Sequence, residues 1–420
     1  MAKGTSAGLV DSAQVQSVFK HALLSGYLKR WFQMVHSTTV DGRTIVVDGY
    51  AGPGRHLDDG TDASGARLLS AAEHAGWPIT CFLIERDRRM FASLRGVVAE
   101  FVGRGVDATA LSGDVAQHLD TVVAAAMGSP LLLFLDPCGH LQPFAILAKL
   151  LATDRPGRWP VTELLANLSA DDVRRNGGLW LKSVQPADGQ RTLDFDSDKS
   201  IRERERDAAT TKRRGDASAK HLDTTLGGDW WRDIARREVK ADTDRSWAGA
   251  VELIAQGYAS RLADATGMQS IAIPVRRRDW HSQPIYHLVF LTRGGHGLWV
   301  FADAAGRARK PYLEAHPTDP DDMPADGSLF ETVRTADEVI EAEHSRAKRV
   351  IATNIRELAA RQESFKPVEH TKAIYGSTLG MATETQAERA LNALVKAGRI
   401  VVVATARRPR DRVYRAATAA

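Results

Sequence analysis

The chain has 420 residues, of which 43% are hydrophobic and 26% charged, with a net charge of +4, all within the range of globular proteins. This length predicts about two or three domains and excludes a disordered chain, while the two cysteines, Cys81 and Cys138, exclude a disulfide scaffold and indicate buried free thiols in a reducing cytoplasm. No apolar stretch approaches the roughly 20 residues that cross a bilayer, and an apolar secretion signal is lacking, so we expect a cytoplasmic protein without a membrane partner.

Helices and strands alternate along the first part of the chain. Apolar residues at helical spacing predict a helix over residues 11–36. Five nearly all-apolar segments then predict strands, at residues 44–48, 79–85, 108–112, 130–136 and 161–167. Strands of this kind are buried on both faces, which predicts a doubly wound, mostly parallel Rossmann-like α/β sheet. In such a sheet the ligand binds beyond the carboxyl ends of the strands.

Residues 170–247 interrupt this alternation and are predicted to be an insertion. They include a highly charged segment, 196–220, that we expect to be a mobile loop or an exposed helix. The sheet pattern then resumes with a helix and two strands that a short connection joins as an antiparallel hairpin, at residues 250–265, 270–276 and 285–292. We therefore assign residues 1–310 to one α/β domain and residues 311–345 to a surface linker.

Residues 346–420 are predicted to form a basic winged-helix domain. Three helical segments precede a hairpin, at residues 347–361, 369–375, 383–397, 400–404 and 412–415. Residues 345–420 carry 15 Lys+Arg and 6 Asp+Glu, and the predicted hairpin tip holds three arginines suited to phosphate, Arg407, Arg408 and Arg410. We expect this domain to bind nucleic acid, with DNA favoured, although many winged helices bind proteins and a charge excess also serves solubility.

The strongest functional signal is the glycine loop Asp48-Gly-Tyr-Ala-Gly-Pro-Gly54, directly after the first strand. Glycines at such a point let a ligand approach the backbone N–H groups closely. Acidic residues end or follow the first four strands, namely Asp48, Glu85, Asp114 and Asp136. They would line one edge of the sheet, although an aspartate in such a place can instead cap the next helix.

The ligand of this edge is predicted to carry a positive charge. The loop departs from the dinucleotide fingerprint, because Leu57 stands where the third glycine would be. An acid ahead of the glycines suits S-adenosylmethionine, which has an ammonium and a sulfonium group. The loop resembles the first motif of Rossmann-like methyltransferases that act on nucleic acids. That resemblance implies a set of cofactor-binding residues: Asp48, Gly52 and Gly54 for the methionine part, Glu85 for the ribose and Asp114 for the adenine amine, with Tyr50 of the same loop also contacting the cofactor.

The segment Asp136-Pro-Cys-Gly139 follows the fourth strand, where amino-methyltransferases carry Asp-Pro-Pro and an aromatic residue. The resemblance implies that Asp136 and the Pro137 region orient an acceptor amine, although the second proline and the aromatic residue are absent. Cys138 stands where cytosine-C5 methyltransferases have a nucleophile, and it can equally be an inert buried thiol. His140 is a candidate base.

Five motifs occur in the order seen in the three-Cys-motif partner protein family, which the chain resembles over roughly residues 15–310. They are Asp48-Gly-Tyr-Ala-Gly-Pro-Gly54, Phe82-Leu-Ile-Glu85, Leu133-Phe-Leu-Asp-Pro-Cys-Gly139, Leu165-Ala-Asn-Leu168 and Ile285-Tyr-His-Leu-Val-Phe-Leu-Thr292. The resemblance implies a class I methyltransferase-like fold and a partner with a three-cysteine motif similar to radical-SAM iron–sulfur proteins. Cys138 departs from the family, which usually has Phe there, and Ala66 stands where the family tends to have Pro.

These features support three hypotheses. The first is an S-adenosylmethionine-dependent methyltransferase-like protein that acts on nucleic acid, in modification or repair, with Arg174 and Arg175 near the active edge as phosphate contacts. The second is a hydrolase whose four strand-end carboxylates hold Mg²⁺. The third is a non-catalytic adaptor that binds nucleic acid for the iron–sulfur partner. We assign no metal ligand in the first and third hypotheses.

Overall fold

The computed structural model describes residues 16–38, 42–137, 139–152, 161–184, 201–239, 244–276, 283–315 and 335–417. These residues form an α/β structure around a seven-stranded sheet with helices on both faces, followed by further helices and a two-stranded sheet. None of the helices within these ranges combines the length and the apolar character that crossing a membrane requires.

Strands and helices alternate along the chain, as the apolar pattern predicts. The strands of the large sheet are β1 (Thr44–Asp48), β2 (Ile79–Glu85), β3 (Asp107–Ser112), β4 (Leu131–Leu135), β5 (Thr162–Ser169), β6 (Gln269–Arg276) and β7 (Pro284–Thr292). The helices that accompany them are α1 (Gln16–Val35), α2 (Ser64–Glu73), α3 (Arg88–Gly103), α4 (Val115–Ala125), α5 (Phe144–Leu151), α6 (Ala170–Val184), α7 (Ile201–Leu226), α8 (Trp231–Glu238), α9 (Asp244–Thr266) and α10 (Gly295–Glu314).

The large sheet has the strand order β3-β2-β1-β4-β5-β7-β6. Strands β1 to β5 pair in parallel, and β7 runs antiparallel to both of its neighbours. The predictions of a mostly parallel sheet and of a β6–β7 hairpin are therefore confirmed. The strand order reverses between β1 and β4, and a reversal of this kind opens a crevice at the carboxyl ends of the strands.

Both faces of the sheet are covered, which explains why its strands are almost entirely apolar. Successive residues of a strand point to opposite faces, and on β1 Ile45 and Val47 join one hydrophobic cluster while Val46 joins the other. Helices α4 to α9 cover the first face, and α1, α2, α3 and α10 cover the second. The predicted insertion is thus part of the core, because Leu222 of α7 and Trp231 of α8 are fully buried in the first cluster.

The C-terminal part of the chain contains three helices and then two antiparallel strands. These elements are α11 (Ala336–Arg361), α12 (Thr371–Tyr375), α13 (Glu384–Lys396), β8 (Ile400–Ala404) and β9 (Val413–Ala416). The element order matches the predicted one, and the winged-helix assignment itself stays a prediction. The predicted linker is helical at both of its ends, since residues 311–314 belong to α10 and residues 336–345 to α11, and residues 316–334 lie outside the described ranges.

The C-terminal helices share a hydrophobic core with α10. Trp299 of α10 is buried among Ile351, Leu391 and Tyr414 from the C-terminal elements. Residues of α10 therefore belong to the hydrophobic cluster on the second face of the large sheet and also to this separate C-terminal cluster. We infer that the C-terminal elements are packed onto the α/β body rather than tethered to it.

One buried carboxylate joins the two parts. Asp303 of α10 is fully buried, and its carboxylate accepts hydrogen bonds from Arg30 of α1 and from Arg307, the latter at 2.8 Å. Its Oδ1 atom also accepts the backbone N–H of Glu384, in the first turn of α13, at 2.6 Å. A carboxylate at a helix N-terminus accepts a hydrogen bond from an N–H group that lacks a partner within the helix. It also interacts favourably with the positive end of the helix dipole.

We expect Asp303→Ala to lower the free energy of unfolding by about 1–3 kcal/mol, because it removes a fully buried carboxylate that accepts hydrogen bonds from Arg30 and from the Glu384 N–H. Urea denaturation followed by circular dichroism measures the change. Asp337→Ala is the matched control, since Asp337 is exposed and pairs with Lys310 on the surface, and it should change stability by less than about 0.5 kcal/mol. Equal effects of the two substitutions would contradict the role given to Asp303.

Candidate active site

The glycine loop after β1 folds back over the end of β2. Gly52 and Gly54 have φ angles of +58° and +81°, a region that residues with a side chain rarely adopt. The N–H of Gly52 donates to Oε2 of Glu85 at 3.0 Å, and the N–H of Ala51 donates to the carbonyl of Ile84 at 3.0 Å. Strands β1 and β2 are adjacent and parallel, so the loop of one meets the terminal carboxylate of the other. The Gly52 N–H, which was expected to face a ligand, is therefore bound to Glu85, and the Gly54 N–H donates to the carbonyl of Ala51 at 3.3 Å.

Asp48 lies fully buried at the end of β1. Its Oδ1 atom accepts the N–H of Tyr50 at 3.1 Å, and its Oδ2 atom has no hydrogen bond of normal geometry with any described residue. Burial raises the pKa of Asp48 to about 7, against the opposing effects of the Ser64 hydroxyl and the Tyr50 N–H. A cation placed against Oδ2 would stabilise the ionised carboxylate in this position.

The Glu85 carboxylate binds two backbone groups. Besides the Gly52 N–H on Oε2, its Oε1 atom accepts the N–H of Asp87 at 2.7 Å. The side chain is only partly buried, so lone pairs of both oxygens can still accept further hydrogen bonds. Glu85 can therefore hold the loop and accept hydroxyl groups of a ligand at the same time.

Asp114 is the N-cap of α4. Helix capping is the role that an aspartate at a strand end can have instead of ligand binding. Its side chain accepts the N–H of Ala116 at 3.0 Å, and Gln117 completes the capping box. Oδ1 also accepts a hydrogen bond at 3.2 Å from Gln142, whose same nitrogen donates to the Tyr50 hydroxyl at 2.8 Å. The buried Gln142 thus connects two predicted cofactor residues, and sequence reasoning did not find it.

Asp136 is held by Lys20, which the sequence did not point to, and by Asn167 of the motif Leu165-Ala-Asn-Leu168, to which no role was assigned. Lys20 of α1 forms an ion pair with Oδ2, and Asn167 of β5 donates to Oδ1 at 2.7 Å. Both members of the ion pair are largely buried, at 12% and 13% side-chain exposure. Pro137 follows directly, whereas Cys138 lies outside the described residues. Asn167 carried a usable signal, since it stands near the carboxyl end of the strand beside β4.

A neutral histidine lies next to this ion pair. Burial, together with the charges of Lys20 and Arg67, lowers the pKa of His21 to about 3. His21 therefore carries no charge near neutral pH. The positive charge beside Asp136 is then supplied by Lys20 rather than by the neighbouring imidazole.

His140 contacts an aspartate that joins it to a second histidine. Its Nδ1 atom lies 3.0 Å from Oδ1 of Asp172, and Nε2 of His221 lies 2.9 Å from Oδ2. Burial would raise the pKa of Asp172, but the hydrogen bond from His221 and the charge of His140 hold it below its usual value. His140 is thus oriented by a carboxylate, an arrangement found around histidines that act as general bases. Asp172 and His221 were not predicted.

The predicted phosphate contacts fall into two groups. Arg174 and Arg175 lie on the first turns of α6, directly after β5, where they pair with Asp171 at 2.6 Å and with Asp172 at 3.5 Å. Arg407 and Arg408 are exposed between β8 and β9. Arg410 differs from its prediction, because its guanidinium is buried and pairs with Glu384 at 2.8 Å. That arginine fixes the loop to α13 and does not face solvent.

The four strand-end carboxylates do not form a metal site in the described part of the chain. Asp136 is paired with Lys20, Glu85 accepts backbone N–H groups, and Asp114 caps a helix. Within the described ranges, the side chains that gather closely enough to hold an ion are instead His140, Asp172 and His221. The hypothesis that these four carboxylates hold Mg²⁺ for hydrolysis therefore finds no support in the geometry.

No protein-family model matches the chain, and neither does any curated protein. Among solved structures, the plantazolicin methyltransferase BamL in complex with a triazolic desmethylPZN analogue and SAH is 12% identical, over 69% of this chain and 89% of that one, with a TM-score of 0.29. A putative caffeoyl-CoA O-methyltransferase from Staphylococcus aureus is 11% identical, over 64% and 82% of the two chains, with a TM-score of 0.27. Similarity at these TM-scores gives no information about a cofactor or a substrate of this chain. Proposals about either depend on the geometry of its own residues.

The raised pKa of Asp48 predicts a pH-dependent stability. Folding favours the protonated carboxyl, so ionisation of Asp48 lowers the free energy of unfolding. This destabilisation is absent below the ordinary pKa of 3.8, grows as the pH rises and is complete above about 7. We expect Asp48→Asn to become stabilising relative to the unsubstituted chain between pH 4 and pH 7, by up to about 4 kcal/mol at the upper end.

Urea denaturation at several pH values measures this difference. Asp120→Asn is the control, since Asp120 is exposed on α4 and its substitution should leave the pH profile of stability unchanged. A stability difference for Asp48→Asn that stays constant from pH 4 to pH 8 would show that the carboxyl is not destabilised by burial.

Proposed function

We propose that this chain is an S-adenosylmethionine-dependent methyltransferase-like protein that acts on nucleic acid. The observation that carries the cofactor assignment is the glycine loop bound to Glu85, beside the buried Asp48, at the point where the strand order reverses. Ligands of doubly wound sheets bind at such a point. The resemblance to the methyltransferase-type family supports the same assignment.

The residues at this edge fit S-adenosylmethionine better than an anionic dinucleotide. Asp48 offers an unsatisfied carboxylate oxygen for the ammonium group, and a buried carboxylate gains most from a cationic partner. Glu85 keeps lone pairs for the two ribose hydroxyls. Tyr50 and Asp114, joined by Gln142, lie where the adenine would extend. The pyrophosphate of a dinucleotide would instead face these three carboxylates, whose negative charges repel it.

The acceptor would lie beside Asp136. Asn167 holds Oδ1 of this carboxylate, and Lys20 holds Oδ2, so the carboxylate has a fixed orientation at the end of β4. An acceptor amine that binds Asp136 competes with Lys20 for the carboxylate. His140 lies four residues further along the chain, at the same edge, and is oriented by Asp172. Its imidazole would receive a proton from the acceptor. Catalysis would consist mainly of positioning.

Nucleic acid is proposed as the substrate because of the charge and exposure of the C-terminal elements. Arg407 and Arg408 are exposed beside α13, whose solvent side also presents Arg389 and Lys396. Residues 345–420 have a net charge of +9, against −5 for the remainder of the chain. A surface of this kind attracts phosphate backbones. DNA as the target, a role in modification or repair, and an iron–sulfur partner belong to this proposal.

A second candidate is a non-catalytic adaptor that binds nucleic acid for that partner. The ion pair between Lys20 and Asp136 favours it, because both oxygens of the carboxylate already have partners within the chain. An adaptor would bind nucleic acid without methyl transfer, and its binding would survive Asp136→Ala.

We expect calorimetric titration of the full chain, without metal, to show binding of S-adenosylmethionine and of S-adenosylhomocysteine at micromolar affinity. Glu85→Ala should abolish this binding, since it removes both the ribose acceptor and the carboxylate that holds the Gly52 N–H. Glu357→Ala is the control, because Glu357 is exposed on α11 and pairs with Arg361 away from the loop. Absence of binding in the unsubstituted chain would rule out the methyltransferase and leave the adaptor.

The exposed arginines should control the affinity for nucleic acid. We expect Arg407→Ala combined with Arg408→Ala to weaken binding of a fluorescent duplex in anisotropy titrations, and to reduce the slope of log affinity against log salt by about 1 for each phosphate that is no longer bound. The control pair is Arg88 and Arg89, equally exposed adjacent arginines on α3. Unchanged affinity and slope would exclude the hairpin tip as the nucleic-acid contact.

A further inference from the structure

Three potential metal ligands converge at the carboxyl edge of the sheet from separate parts of the chain. His140 follows β4, Asp172 lies in the first turn of α6, and His221 lies near the end of α7. One ligand atom from each lies within 4.8 Å of the others. The two imidazole rings meet edge to face with their centroids 4.1 Å apart. Convergence of segments that are 32 and 49 residues apart is a property of the fold, not of one local turn.

We propose that His140, Asp172 and His221 bind a divalent transition-metal ion of the kind that imidazole favours, such as Zn²⁺. Bonds of about 2.0–2.2 Å from such an ion to histidine nitrogen and carboxylate oxygen place neighbouring ligand atoms roughly 3 Å apart. The observed distances of 3.0 and 2.9 Å from the carboxylate to the two imidazoles match that spacing. Two histidines and one carboxylate leave coordination positions open for water or substrate.

The surroundings of Asp172 hold it in a ligating position. The side-chain amide of Asn176 donates to Oδ1 at 2.8 Å, and the backbone N–H of Asp172 donates to the Ser169 hydroxyl at 3.1 Å. Partners of this kind orient a ligating carboxylate. The Asp172 side chain is 7% exposed, while the His140 side chain is 55% exposed, so the ion would have a buried anchor and an open approach from solvent.

One neighbouring charge opposes the ion. The Arg175 guanidinium lies 3.5 Å from Oδ1 of Asp172, but its side chain is 60% exposed and extends from the surface of α6. It can swing into solvent when a cation arrives. Removing Arg175 should therefore raise the affinity for the metal ion, whereas removing a ligand should lower it.

With an ion bound, His140 would be a metal ligand and not the base named above, so the proposed site does not depend on methyl transfer. It would join α7 of the insertion to the loop after β4, and it would lie on the same sheet edge as Asp136. Its test reads metal occupancy directly, so failure of the methyltransferase proposal and failure of this one are distinguishable.

The test is titration of the full chain with Co²⁺, whose visible absorption reports nitrogen and oxygen coordination, followed by displacement with Zn²⁺. We expect one equivalent to bind. Asp172→Asn and His221→Ala should weaken binding at least tenfold, and Arg175→Ala should strengthen it severalfold. His74→Ala is the matched control, because His74 is an exposed histidine on the opposite face of the sheet and should leave binding unchanged.

Folding of each variant is checked by circular dichroism. Because substitution of the buried Asp172 can by itself unfold the region, His140→Ala provides a second variant whose side chain is exposed and whose loss should weaken metal binding without loss of structure. Zn²⁺ should also raise the melting temperature of the unsubstituted chain, as any ligand of the folded state does, but not that of His140→Ala. Absence of stoichiometric Co²⁺ binding, or equal binding by His140→Ala and the unsubstituted chain, would overturn the proposal.

Discussion

The structure depends on the burial of the large sheet on both faces. Because α1 to α3 and α10 cover one face and α4 to α9 the other, a polar side chain on the central strands has water-accessible space only at a strand end. Glu85 at the end of β2 and Asp136 directly after β4 lie there and are partly exposed, whereas Asp48 at the end of the intervening β1 is fully buried. The candidate functional side chains therefore gather at one edge of the sheet because helices cover both of its faces. Buried polar side chains of the strands also include Glu163 of β5, which lies away from this edge and is hydrogen-bonded to Tyr27 and Thr292, and His287 of β7.

Most of the fold could be predicted because its signals are local. Unbroken apolar segments indicated the parallel strands, and the short connection indicated the β6–β7 hairpin. The extent of the core could not be predicted in the same way. The charged segment 196–220 is helical from residue 201 and exposed at residues 206–214, which agrees with the predicted exposed helix, but the sequence did not indicate that α7 then enters the core through Leu222 and Leu226. The linker assignment failed at both ends because α10 and α11 are helices whose polar residues pair with one another, as Arg309 does with Glu343.

The candidate site shows the same division between local and tertiary information. Glycines and acids next to strand ends are visible in the sequence, so Asp48, Gly52 and Glu85 could be named as candidates. Lys20 and His221 could not, because each comes from a helix whose position over the sheet edge is fixed only by packing. Arg410 shows the opposite error: an arginine in a basic hairpin tip is expected in solvent, but Glu384 lies close enough to bury it in an ion pair.

Helix α1 carries two of the contacts described above at a fixed separation. Lys20 binds Asp136 at the sheet edge, and Arg30 binds Asp303, which in turn accepts the first turn of α13. Ten residues of helix make a rod about 15 Å long between them. One rigid helix thus fixes the distance between the ion pair at the sheet edge and the contact with the C-terminal elements.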